Sequence, residues 1–174
     1  GLRNYHTNTP EFWRYAPERG WTRLPDMPQR RDHVMIAAQD GSIYVFGGLA
    51  SGPASHTITQ NAWRFDLTAN QWHVLPDMPG RRTSGGAASM DGFIYVAGGH
   101  RDGIDRYDPV RNEWRTLPLA DTAPRDHCIV LAYRGELWLI GGRSFGTDTN
   151  GSVLIYYPRT GAARAGPSLT HARA

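Results

Sequence analysis

The residues best equipped for chemistry stand at three equivalent places in this 174-residue chain. Arg31, Arg82 and Arg125 each lie 16 residues before the first member of a double glycine: Gly47-Gly48, Gly98-Gly99 and Gly141-Gly142. Asp32-His33 follows the first Arg and Asp126-His127 the third; after the second the same place holds Thr83-Ser84. A guanidinium is a planar fork of donors matched to carboxylates and phosphates, so a set of three suits an anion. An Arg that recurs in every unit also has a structural reading, in which it pairs with Asp or caps backbone carbonyls. Two His on one channel could bind a metal. Two ligand sets are few for that, and hydrogen bonding at strand starts is the plainer role, so neither metal nor cofactor is expected.

Other motifs carry less. Gly142-Arg143-Ser144-Phe145-Gly146 matches the pattern of a nucleophile elbow, but that motif needs a strand-to-helix turn and here it opens a polar loop. Asn150-Gly151-Ser152 is a glycosylation sequon, meaningful only in a secreted eukaryotic protein. Cys128 is the only cysteine, which excludes an internal disulfide and a multi-Cys metal site. The chain has 19 Lys and Arg residues and a net charge of +3, and every one of the 19 is Arg. An excess so small and dispersed argues against nucleic acid as a partner. No apolar run approaches the length of a membrane span, so no membrane partner is expected.

The elements that position these residues are legible from the repeat. The double glycines are spaced by 51 and then 43 residues, and each ends an apolar run: Ile43–Phe46, Ile94–Ala97 and Leu137–Ile140. Six residues before each pair stands Gly41, Gly92 or Gly135, twice preceded by Asp. Asp-Gly between apolar runs is a strong hairpin signal, because both central residues of the tight turn need positive φ. The partner strands are Val34–Ala38, Gly85–Ser89 and Cys128–Ala132, rich in small residues as innermost strands would be. A second hairpin follows, its third strand ending near Tyr15, Phe65, Tyr107 or Tyr156 and its fourth opening with Trp21, Trp72 or Trp114. Leu-Pro-Asp-Met-Pro occurs at 24–28 and again at 75–79. In the last unit Ala163 stands where the Trp belongs. Strands apolar on both faces need cover on both, which sheets stacked around an axis supply.

The order of Arg, strand, tight turn, strand ending in Gly-Gly, Tyr and Trp resembles the kelch motif over nearly the whole chain. The resemblance implies an all-β, kelch-type β-propeller: an incomplete ring of about three and a half four-stranded antiparallel blades. Residues 1–30 would be an outer half-blade, with Gly1 matching the second Gly of a pair. Residues 31–79, 82–119 and 125–168 would be blades, and 169–174 the start of another. Open blade faces invite self-association. The loop after each Gly pair varies most, with 17 residues from 48 to 65, 8 from 99 to 107 and 14 from 142 to 156.

In the kelch family this loop and the Arg position build a ligand-binding mouth. Carried over, that implies Arg31, Arg82 and Arg125 ringing the opening, His33, Ser84 and His127 just inside, and Arg101 and Arg143 approaching from the variable loops. The implied function is a binding scaffold for a protein or peptide partner, favouring acidic ligands. The alternative is an enzymatic propeller related to galactose oxidase or to sialic acid mutarotases, with catalytic residues partly outside this chain. The first would need a Tyr–Cys crosslink and Tyr/His copper ligands. The second would need an acid or base, for which Asp32, His33, Asp126 and His127 are the local candidates. No complete catalytic set is present, so no catalytic residue is assigned.

Overall fold

In the computed structural model, which describes residues 2–4, 7–52, 55–119, 125–144 and 148–174, the three predicted tight turns close hairpins. Asp40 and Gly41 have φ of 47° and 69°, Asp91 and Gly92 52° and 79°, and Arg134 and Gly135 50° and 79°. Two consecutive left-handed residues make the turn whose twist matches that of the flanking strands.

The described residues form eighteen strands and no helix. Short pairs come first: β1 (Leu2–Asn4) with β2 (Thr7–Asn8), and β3 (Phe12–Ala16) with β4 (Gly20–Leu24). β5 (Met35–Gln39) and β6 (Ser42–Phe46) follow, then the hairpin of β7 (Leu49–Gly52) and β8 (Ser55–Ile58), then β9 (Ala62–Asp66) and β10 (Gln71–Leu75). The next sheet is β11 (Gly85–Met90), β12 (Phe93–Gly98), β13 (Ile104–Asp108) and β14 (Glu113–Leu117). The last is β15 (Ile129–Tyr133), β16 (Glu136–Ile140), β17 (Val153–Tyr157) and β18 (Ala162–Ala165). The strand orders β5-β6-β9-β10, β11-β12-β13-β14 and β15-β16-β17-β18 give three four-stranded antiparallel sheets. The first strands of two sheets start at Met35 and Ile129, one residue later than predicted.

Hydrophobic cores lie between sheets. One joins Met35, Tyr44 and Phe46 to Ile94, Val96 and Tyr107; the other joins Tyr95, Ala97 and Ile104 to Val130, Leu139 and Tyr156. The innermost strands pass so closely that a Cβ on Gly86 would lie 2.7 Å from the Val130 nitrogen. The indoles complete the seams. Trp72 packs on Phe12 and Phe65 with ring centres 5.2 and 5.0 Å away, and its Nε1–H donates to the Pro25 carbonyl at 2.9 Å. Trp114 packs on Phe46 and Tyr107 and donates to the Pro76 carbonyl at 2.9 Å. Such aromatic pairs add about 0.5–1.5 kcal/mol beyond their buried area.

Two indole positions differ. Trp21 is 69% exposed and touches Tyr15 of its own hairpin. Ala163 occupies the Trp register, opposite Tyr156 as Trp114 is opposite Tyr107, and β18 is exposed along its length. At the two ends of the stack, Trp13, Tyr15 and Trp21 are exposed on one side and Ile129, Leu131 and Tyr133 on the other. The expected match of Gly1 lies outside the described residues. Among the described residues no helix is long and apolar enough to cross a membrane.

Candidate functional site

The recurring Arg turns out to work on the scaffold in all three units. Arg82 is fully buried, and each of its five N–H donors has an acceptor. Nε donates to Asp105 Oδ2 at 2.8 Å, Nη1 to the carbonyls of Gly98 and Arg101, and Nη2 to those of Asp102 and Gly103 at 3.1 and 3.0 Å. Burial lowers the guanidinium's pKa from its ordinary value, and Asp105 works against that. Arg31 is 3% exposed. It bonds Thr59 Oγ1 and the Gln29 and Asn61 side chains and stacks on Trp63 at 5.1 Å; burial lowers its pKa too. Arg125, half-buried, bonds the carbonyls of Gly141 and Ser152 and the Ser152 hydroxyl. Each guanidinium thus reaches the connection between the second and third strands of its own sheet.

The same residues tie neighbouring units through their backbones. Gly48 N–H donates to the Arg82 carbonyl at 2.9 Å, Gly99 N–H to Arg125 at 2.8 Å and Gly142 N–H to Arg173 at 2.7 Å. This is what the double glycine permits. A Cβ on Gly47 would run into the Arg82 carbonyl oxygen, and one on Gly48 would sit 2.5 Å from that of Asp32. Gly47 and Gly48 also take φ of 57° and 89°.

Just past each Arg lies the mouth. His33, Ser84 and His127 share left-handed φ of 51°, 58° and 51°. Ser84 N–H donates to the His33 carbonyl, and His127 N–H to the Ser84 carbonyl, so a backbone chain runs across three units. The imidazoles of His33 and His127 meet, with ring centres 5.3 Å apart and planes at 79°. His33 Nδ1 lies 2.8 Å from Asp32 Oδ1, and His127 Nδ1 lies 3.0 Å from Asp126 Oδ1. His100 Nε2 lies 3.0 Å from Asp126 Oδ2. Asp32 exchanges backbone hydrogen bonds with Leu49, and Asp126 with Arg143, so the entry loop and the variable loop are stitched together in both units.

The structure therefore brings together His33, Ser84 and His127, and places Arg143 beside Asp126. Arg31 and Arg82 point into the blades instead of ringing the opening. Arg101 also turns inward, to Asp105 Oδ2 at 2.9 Å, and lies over Gly80. Asp105 and His100 were not singled out in the sequence. Asp105 had a signal, since an acid stands there in the strand register held by Trp63 and Leu154 in the other units. Cys128 is buried and its thiol pKa is raised by that burial. Ser144 precedes residues 145–147, so the rest of the elbow-like motif lies outside the described residues. Asn150 turns its Oδ1 onto the Ser152 N–H at 2.7 Å, within the sequon itself. Among the described residues no cluster of three or more His, Cys, Asp or Glu is placed to hold a metal ion.

Four-stranded sheets stacked face to face, with linked inner strands and indoles in the seams, define a β-propeller. The Kelch motif matches residues 30–79 and 81–118, and the chain belongs to the kelch-repeat family. It is 36% identical over 155 residues to Kelch-like protein terF of Aspergillus terreus, covering 80% of this chain and 34% of that protein. It is 30% identical over 158 residues to mouse Kelch-like protein 35, covering 90% of this chain and 27% of that one. The chain thus spans about a third of the length of these relatives. The solved structure of YjhT is similar in fold, with a TM-score of 0.81 at 16% identity over 92% of this chain and 60% of that one.

Proposed function

We propose that the chain is a binding scaffold that presents the mouth around His33, Ser84 and His127 to a protein or peptide partner, with a preference for acidic ligands. The observation carrying this reading is a convergence. Loops of variable length are stitched to the entry loops that hold His33 and His127, and Ser84 is hydrogen-bonded between those two, so variation and convergent polar groups share one face. Arg143 and the exposed part of Arg125 supply the positive rim; Arg31, Arg82 and Arg101 enter the reading as scaffold. Peptides selected on the chain from a random phage library test it. They are expected to be acid-rich, to bind an Arg143→Gln chain roughly tenfold more weakly, and to bind an Arg111→Gln chain unchanged, because Arg111 is exposed on an outer hairpin. Peptides without acid enrichment, or equal binding to all three chains, would overturn the reading.

The enzymatic alternative has one observation in its favour, the two imidazoles oriented by Asp32 and Asp126. A sugar anomer-exchange assay with His33→Gln and His127→Gln controls decides it. A rate equal to that of buffer removes it.

A further inference from the structure

We propose that His33 and His127 form a two-imidazole site for a divalent ion of the Zn2+ class at the channel mouth. Three observations converge on it. The two rings come from different sheets, yet their centres are 5.3 Å apart. Two imidazoles on one tetrahedral ion, with Zn–N bonds of about 2.0–2.1 Å, have ring centres roughly 5 Å apart. Each Nδ1 faces a carboxylate at 2.8 or 3.0 Å. A carboxylate only accepts, so Nδ1 carries the proton and Nε2 is left with the lone pair that a metal needs. A carboxylate behind an imidazole is also the arrangement that orients a ligating His and raises its basicity. Finally, the backbone presents both residues alike, at the same φ of 51° and joined through the hydrogen bonds of Ser84.

Among the described residues two ligands are placed for the ion and no larger group is. The remaining positions are open to water or to a carboxylate from outside. Imidazole donors favour Zn2+, Ni2+ and Cu2+ over Mg2+ and Ca2+. Asp32 and Asp126 act behind the imidazoles, and His100 shares Asp126.

Calorimetric titration of the tag-free chain with ZnCl2 tests the site without reference to any peptide partner. One saturable site per chain is expected. His33→Ala and His127→Ala should each abolish it, and Asp32→Asn or Asp126→Asn should weaken it by roughly 10–100-fold. Ser84→His, which places a third imidazole on the same left-handed backbone, should tighten it at least tenfold. MgCl2 should give no saturable heat. Electron paramagnetic resonance of the Cu2+-loaded chain should show coupling to two nitrogens. No saturable Zn2+ binding, or binding unchanged in the His33→Ala/His127→Ala chain with its circular dichroism intact, would overturn the proposal.

Discussion

The middle unit and its two neighbours use the same Arg position in different ways, and the difference lies in where each keeps its acid. In the middle unit the acid is Asp105, fully buried inside the blade, where it receives Arg82 and Arg101 on Oδ2 and the Thr116 hydroxyl on Oδ1 at 2.7 Å. Its mouth residues are Thr83 and Ser84, without charge. In the flanking units the same strand register holds Trp63 or Leu154, and the acid has moved beside the Arg, as Asp32 or Asp126. There it faces the mouth and holds a His. The acid of a unit therefore either fastens the blade internally, from the third strand, or equips the channel opening, from beside the Arg. A repeat can be invariant in shape while its ionisable groups change sides.

Removing one partner of the buried pair should have the largest effect. Asp105→Ala leaves the buried Arg82 guanidinium without its acid, and Arg82→Ala leaves Asp105 with one guanidinium, that of Arg101, and four loop carbonyls without their donor; each is expected to cost about 3–5 kcal/mol in urea unfolding. An Arg82→Met/Asp105→Leu chain should recover only part of that loss: it strands no charge in the blade, but the carbonyls of Gly98, Arg101, Asp102 and Gly103 still lack a donor. Arg31→Met should cost about 1–2 kcal/mol, since it loses hydrogen bonds to the Thr59, Gln29 and Asn61 side chains while its contact with Trp63 survives in part. An Arg31→Met chain as unstable as Arg82→Met would erase the distinction between the units.

Alkali should expose the seams next. Burial pushes the Tyr107 phenol up from 10.0 to about 12, and raises that of Tyr156 as well. The unfolded chain then ionises first, so this part of the stability is intact below about pH 10 and is lost as the pH rises towards 12. Ultraviolet difference absorbance should show late phenol ionisation coinciding with loss of strand signal in circular dichroism. Phenols that all ionise near pH 10 with the fold intact would contradict it. The smallest effect is expected for His33→Ser, which copies the middle unit at the mouth. It should change stability by no more than about 0.5 kcal/mol while the ring contact with His127 disappears.

Much of the fold was legible because propeller physics repeats. The Asp-Gly turns, the double glycines and the Trp register each report a local backbone or packing demand, and all recur in sequence. The β7–β8 hairpin was not legible, since a long polar loop between strands carries no alternating apolar pattern. The candidate site was half legible. His33, Ser84 and His127 follow from alignment alone. The direction of Arg31, Arg82 and Arg101 does not, because a guanidinium at the start of a strand reaches either solvent or the carbonyls behind it with the same residue type. Only the acid at Asp105, out of place in an apolar register, hinted at the inward answer.

The radial stacking of the sheets predicts that two residues from units not adjacent in sequence meet on the axis. Proton nuclear Overhauser spectroscopy of the ring protons, with His33→Gln and His127→Gln chains for assignment, measures that directly. A cross-peak between the His33 and His127 imidazoles, whose ring centres are 5.3 Å apart, is the predicted result. Its absence in a folded chain would mean that the three sheets do not converge on a common channel.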